Sequence, residues 1–344
     1  EHRHFGVAGK REFIGQLHGG QYGMRCAPRQ WGYGGGVSQS PPANPPQQAQ
    51  RPQLALLIRL GAAFVLTIML VFVKLVTESG VTLTETLFWR QLPTVPVLLL
   101  WFAMRKELGT LRTRRLGAHF RRAALGLLGM FLNFGAVTLL PLAEATTLNF
   151  TTAIWAVILS ALILRERVGL WRWSAVLLGF AGVIVIAQPG QGNIPLFGAA
   201  VALAAAFTIA LISIQIRDLS RTEPSLTIVF WFSAFSLPLL ALAMPFVATA
   251  HTPYQWSLLA GLGLFGLLGQ FLLTAALRYG AVASVIVMDY SSLIWATLLG
   301  WWVFERLPPA ATWLGAPLIV AAGLIIAWRE HRLSIERARS LVGE

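Results

Sequence analysis

The chain is short of acidic charge and of the side chains that carry most chemistry. It holds one cysteine, Cys26, six histidines and 14 acidic residues among 344. One cysteine excludes an intrachain disulfide framework and a cysteine-built metal centre. His2, His4 and His18 lie in the first 53 residues, and His119, His251 and His331 are isolated at the joints outside the apolar runs, so no HExxH pair arises. GxSxG and phosphate-binding-loop patterns are also missing. No metal, cofactor or enzymatic centre is therefore expected, and no nucleotide is expected to drive the protein.

Apolar residues are plentiful. The chain is 56% hydrophobic and 12% charged, with a mean hydropathy of +0.65. That is more apolar side chain than a soluble core of this length buries. Runs of about 20 apolar residues, each long enough for a helix to cross roughly 30 Å of hydrocarbon, recur ten times. They are Leu54–Val76, Thr84–Met104, Phe120–Leu140, Pro141–Leu164, Val168–Ala187, Pro195–Ile216, Ser225–Ala248, Trp256–Leu277, Ala281–Phe304 and Ala310–Trp328. Residues 1–53 are Gly-, Pro- and Gln-rich and read as a disordered tail.

The net charge of +13 sits in the joints, so it reports topology and not a nucleic-acid partner. Arg105, Lys106, Arg112, Arg114, Arg115, Arg121 and Arg122 fall on one side, with Arg165, Arg167, Arg172, Arg217, Arg221, Arg278 and the basic tail 329–344; Arg306 and Lys74 fall on the other. This asymmetry predicts both termini in the cytoplasm.

The chain is a duplication. Asn149-Phe-Thr-Thr returns as Asp289-Tyr-Ser-Ser, each followed by Ile-Trp-Ala, at a spacing of 140 residues. Gly126-Leu-Leu-Gly129 returns as Gly266-Leu-Leu-Gly269 at the same spacing, while Phe88-Trp89 and Pro96 match Phe230-Trp231 and Pro238 at 142. Two domains are expected, 54–190 and 191–328. Five spans per copy is an odd number, so the second copy enters the membrane from the other side. The predicted fold is thus an all-α membrane protein of ten transmembrane helices in two inverted five-helix repeats, the arrangement of secondary transporters.

The runs Pro141–Ile186 and Ala281–Ala327, with FWRQLP at Phe88 to Pro93, resemble the EamA-type branch of the drug/metabolite transporter superfamily. In both runs small residues enter a long helix that ends in an acid, Glu166 or Glu305, and a glycine-containing helix follows. The resemblance covers Leu54 to about Trp328. It implies transport of small metabolites across a bacterial-type inner membrane, with substrates that include amino acids, S-adenosylmethionine and riboflavin.

Charged residues inside spans cost about 2.5–3.5 kcal/mol on insertion scales and so point to function. The informative ones are those on which the repeats disagree, because packing demands are shared while a substrate site need not be symmetric. Arg90 answers Phe232, Asp289 answers Asn149, Gln270 answers Met130, and Asn133 answers Leu273. Asn149 and Asp289 each fall about 12 Å into their spans from opposite faces, bracketing the midplane. Tyr290, Trp155 and Trp295 supply aromatic walls. Arg90 is expected to hold a carboxylate, and Asp289 an amine or a coupling proton, in one cavity. That pairing suits an amino acid or a compound derived from one, moved by alternating access. An exporter of lipophilic cations and a multi-span intramembrane enzyme are the alternatives. The expected partners are a small-molecule substrate and the bilayer, with the carrier acting as a monomer or homodimer. Lys74 with Glu78, Glu166 with Arg167 and Glu305 with Arg306 read as pairs at span ends, and Glu144 as a residue of the outer mouth. The glycines from Gly261 to Gly266 fit a dinucleotide fingerprint in letters only; inside an apolar span they form a packing surface.

Overall fold

The computed structural model describes residues 52–163, 169–188, 195–279 and 287–342. The N-terminal tail, the start of the ninth span and the Glu166–Arg167 pair lie outside the described residues. Among those described, nine helical stretches are long and apolar enough to cross a membrane.

The first repeat comprises α1 (Pro52–Glu78), the broken second crossing α2 (Leu83–Gln91) and α3 (Thr94–Met104), α4 (Leu116–Leu139), the broken fourth crossing α5 (Leu142–Asn149) and α6 (Thr152–Ile163), and α7 (Leu170–Ala187). The second comprises α8 (Leu196–Leu219), α9 (Ser225–Val247), α10 (Pro253–Tyr279), a 3-10 turn Val287–Tyr290 leading into α11 (Ser291–Phe304), and α12 (Ala310–Val342). The turn and α11 are the described part of the ninth crossing. The helix α12 runs past the last span without interruption, so the basic tail expected from residue 329 continues it.

Local sequence sets these boundaries. Gly80, at φ +94, turns the chain between α1 and α2, and the Thr82 hydroxyl caps α2 by accepting from the Glu85 amide. Pro93 has no amide hydrogen to donate, and the second crossing breaks there into α2 and α3. The fourth crossing breaks at the repeated tetrapeptide, and in the ninth the same tetrapeptide joins the 3-10 turn to α11. Thr151 and Thr152 donate to the carbonyls of Leu148 and Asn149, at 2.6 and 2.7 Å, and Ser291 and Ser292 donate to those of Met288 and Asp289, both at 2.6 Å. Both copies thus spend a pair of hydroxyls on backbone acceptors at the tetrapeptide, where lipid supplies no water.

The packing repeats as well. The helix α1 lies on α10, and α8, its counterpart, lies on α4, the counterpart of α10. The equivalent helices α2 and α9 pack on each other, as do α7 and α12, and α5 of the fourth crossing packs on α11 of the ninth. A Cβ on Gly182 would stand 2.8 Å from the carbonyl oxygen of Gly315, so α7 and α12 touch backbone to backbone. Trp171, Trp173, Trp301, Trp302 and Trp313 face outward, as interfacial anchors do.

Candidate functional site

A cavity of about 510 Å³ opens between α1, α2 and α10 on one side and α4, α8 and α9 on the other. It runs from Arg90, the eighth residue of α2, to Arg122 near the start of α4, Ser225 at the start of α9 and Thr274 near the end of α10. Those three helix ends adjoin the arginine-rich joints.

Three guanidinium groups line it: Arg59, Arg90 and Arg122. All three belong to the first repeat. Their counterparts in the second are Val201 and Phe232 at the 142-residue spacing and Leu262 at 140. No acidic side chain is among the lining residues described. The Arg90 Nη1 donates to Gln91 Oε1 at 2.7 Å and lies 3.7 Å from Met130 Sδ, while its buried Nε has no partner. Arg122 stacks its guanidinium over the Phe232 ring at 4.7 Å, with Nε and Nη1 buried and unpartnered.

Glycines make this possible. A Cβ on Gly126 would collide with Arg122 Nη1 and the Phe232 ring, and one on Gly266 would reach 3.3 Å from Arg90 Cγ. Gly126 and Gly266 are repeat equivalents, as are Phe232 and Arg90. Each glycine therefore seats the cavity residue of the other repeat. Beyond helix packing, the glycines of α4 and α10 shape the cavity wall.

Arg90, Asn133 and Gln270, singled out in the sequence, line the cavity together. The other five candidates sit in the fourth and ninth crossings. Asp289 is not among the described lining residues: its two carboxylate oxygens accept from Arg59 Nε at 2.6 Å and Nη2 at 2.5 Å. Arg59 reaches it across 230 positions, so Asp289 acts as the counterion of one cavity arginine. Asn149 ends α5, half-buried. Tyr290 meets Phe150 edge to face. Trp155 packs between Phe180 and Phe207, and Trp295 against Phe64. The reading of sequence missed two lining arginines. Arg59 lies inside the first apolar run and differs from Val201, so the comparison of repeats contains its signal. Arg122 looks like one more joint residue until α4 begins at Leu116 and carries it into the wall.

The opposite end is shut. Val73, Val76, Leu87, Phe134, Leu240 and Leu262 form one buried apolar cluster. Lys74, expected to pair with Glu78 at the surface, is buried instead and donates to the carbonyls of Leu140 at 2.7 Å and Val137 at 3.3 Å, the free acceptors at the end of α4. Glu144 is fully buried and accepts from the Thr312 hydroxyl at 3.1 Å. Clasps then bind helices within each side of the cavity. His251 Nε2 and Glu85 Oε1 lie 2.6 Å apart and Gln255 donates to the Ser79 carbonyl at 2.8 Å, joining α2 and the α1–α2 turn to α10 and the residues before it. At the arginine-rich end Thr113 donates to Glu223 at 2.6 Å, Arg115 pairs with Asp218, and Thr227 donates to the Thr110 carbonyl at 3.2 Å. Thr227 is the counterpart of Glu85 at 142, and Thr110 stands 141 before His251. The cavity thus lies between two clasped groups of helices.

Comparison with known proteins decides the family. The model of the EamA-like transporter family matches residues 53–188 and again residues 196–328. The chain belongs to the EamA-like transporter family. Among the curated relatives of this EamA-family chain are a riboflavin transporter of Vibrio cholerae, 32% identical over 66% of this chain and 77% of that one, and the pseudopaline exporter CntI of Pseudomonas aeruginosa, 30% identical over 79% and 95%. An S-adenosylmethionine uptake transporter of Rickettsia prowazekii is 26% identical over 69% and 80%. A solved crystal structure superposes with a TM-score of 0.55 at 20% identity, covering 82% of this chain and 99% of the other, and supports the fold. The EamA-family chain is accordingly a multi-pass membrane protein of a small-molecule transporter family, with ten crossings in two inverted repeats.

Proposed function

We propose that the protein is a secondary transporter that carries a small polar metabolite with a carboxylate, an amino acid or a compound derived from one, across a bacterial-type inner membrane by alternating access. The observation that carries this reading is Arg90: a guanidinium deep in the cavity, with a buried unpartnered Nε and no acidic side chain among the described lining. Its planar fork suits a carboxylate. Asn133 and Gln270 add neutral hydrogen-bonding groups for the rest of the cargo. Two domains, 54–190 and 191–328, share the work, and both termini are cytoplasmic. In that orientation the cavity faces the cytoplasm and the Lys74 end is the closed outer gate.

Export of lipophilic cations is the weaker reading, because three guanidinium groups repel such a cargo and Asp289, the acid it needs, is held by Arg59. Counterflow in vesicles tests the proposal. Purified protein reconstituted with unlabelled amino acids inside takes up the labelled compound, and Arg90→Gln lowers the rate at least tenfold. Uptake of lipophilic cations alone, unaffected by Arg90→Gln, overturns it.

A further inference from the structure

Among the described residues, two of the three cavity arginines have no counterion. Arg59 is neutralised by Asp289 through both carboxylate oxygens. Neither Arg90 nor Arg122 has an acidic partner among the described residues. Arg90 Nε, Arg122 Nε and Arg122 Nη1 are all buried without a hydrogen-bond acceptor.

The two free groups occupy separate seats. Arg122 Nη1 lies beside Gly126, stacked on Phe232, and Arg90 Nη1 lies beside Met130, with Phe134 at 6.0 Å. Gly126 and Met130 are successive on one face of α4, so the seats are about one turn apart, roughly 5.4 Å along its axis. Different walls hold them. Gln91 steadies Arg90, whereas the aromatic face of Phe232 steadies Arg122.

An unpaired buried charge is expensive, and a buried pair of like charges more so. A carrier tolerates this arrangement when the cargo supplies the missing charges. We infer that the cargo presents two carboxylates, one to Arg90 and one to Arg122, as an acidic amino acid or a short dicarboxylate does. The inference rests on the carrier reading above and narrows its substrate class. Two planar forks on separate walls favour two carboxylates over one phosphate shared between them. The rest of the cavity supplies what such a compound needs between its ends: Asn133 and Gln270 for polar groups, and isoleucines such as Ile209 and Ile212 for its carbon chain.

The second repeat provides substitutions with a structural precedent. Leu262 stands where Arg122 does, so Arg122→Leu removes the charge with a side chain the fold accepts at the equivalent place; Arg122→Lys keeps the charge and loses the fork. Calorimetric titration of the full chain in nanodiscs with glutamate, succinate, alanine and inorganic phosphate reads the result. Wild type binds glutamate and succinate at least tenfold more tightly than alanine. Arg122→Leu weakens both about 100-fold, leaves alanine within threefold, and Arg122→Lys recovers part of the loss. Equal affinity for glutamate and alanine in wild type, an unchanged preference in Arg122→Leu, or tighter binding of phosphate than of either dicarboxylate overturns the inference. Alanine counterflow with no dicarboxylate preference sinks the two-carboxylate inference alone, whereas failure of all these compounds to bind and of amino acids to exchange sinks the carrier reading with it.

Discussion

Phe150 and Tyr290, 140 positions apart in sequence, meet edge to face with their ring centroids 4.8 Å from each other. They are repeat equivalents, so their contact marks the pseudo-two-fold axis where the fourth and ninth crossings meet. Tyr290 also lies against Gly323 of α12, where any Cβ would collide with its hydroxyl. The tetrapeptide common to both repeats thus does structural work: its aromatic joins the halves and its hydroxyls serve the backbone.

Those hydroxyls give the first prediction. Thr152→Val and Ser292→Ala each remove a donor from a carbonyl at the tetrapeptide, at about 1 kcal/mol per lost bond. Thermal unfolding in detergent should show both variants destabilised by a similar amount, a few degrees each. A change confined to one repeat would refute the shared role.

The Arg59–Asp289 pair predicts coupling in a double-mutant cycle. Asp289→Asn leaves Arg59, whose side chain is 11% exposed, without its counterion, while the Asp289 side chain itself is 38% exposed and partly screened. Each single change should lower stability, and Arg59→Gln combined with Asp289→Asn should cost less than the sum by about 1–2 kcal/mol. Additive effects would mean that the two residues act apart.

Gly126 and Gly266 should differ in tolerance although they are equivalent. Gly126→Ala drives a methyl into the ring of Phe232 and the guanidinium of Arg122, whereas Gly266→Ala meets Arg90 Cγ at 3.3 Å and Met69 Sδ at 3.4 Å, both on flexible chains. Transport should fall about tenfold in the first and less than threefold in the second, at similar expression, the larger loss corresponding to roughly 1.4 kcal/mol. Equal losses would argue against the cavity geometry described.

Lys74 predicts a gate phenotype. Its ammonium links α1 to the end of α4, so Lys74→Met frees the acceptors of Val137 and Leu140 and weakens closure at that end. In a Cys26→Ser background carrying Ala143→Cys, at a buried position beside Lys74, the change should speed labelling by an impermeant maleimide several-fold. Unaltered labelling would assign Lys74 to packing alone.

The sequence carried the fold well because its signals are one-dimensional: run length, joint charge, and a repeat whose spacing places each span opposite its partner. The site was legible only in part. Arg90, Asn133 and Gln270 stand out as disagreements between repeats and do line the cavity. Asp289 stands out in the same way, but its neighbour is decided by how the first and ninth crossings pack, which no spacing encodes. Arg122 was hidden for another reason. A positive residue at a span end serves topology equally well whether it points to water or into a wall.

Every charged side chain among the described cavity residues comes from one half of the chain. A single five-span unit inserted in both directions would place identical side chains at both sites, and an asymmetric cargo would then bind equally well either way round. Joining the two copies in one gene let Arg59, Arg90 and Arg122 stand against Val201, Phe232 and Leu262. The ancestral symmetry survives in the clasps and the crossings. It is lost in the cavity, where guanidinium groups of one repeat face apolar and aromatic side chains of the other.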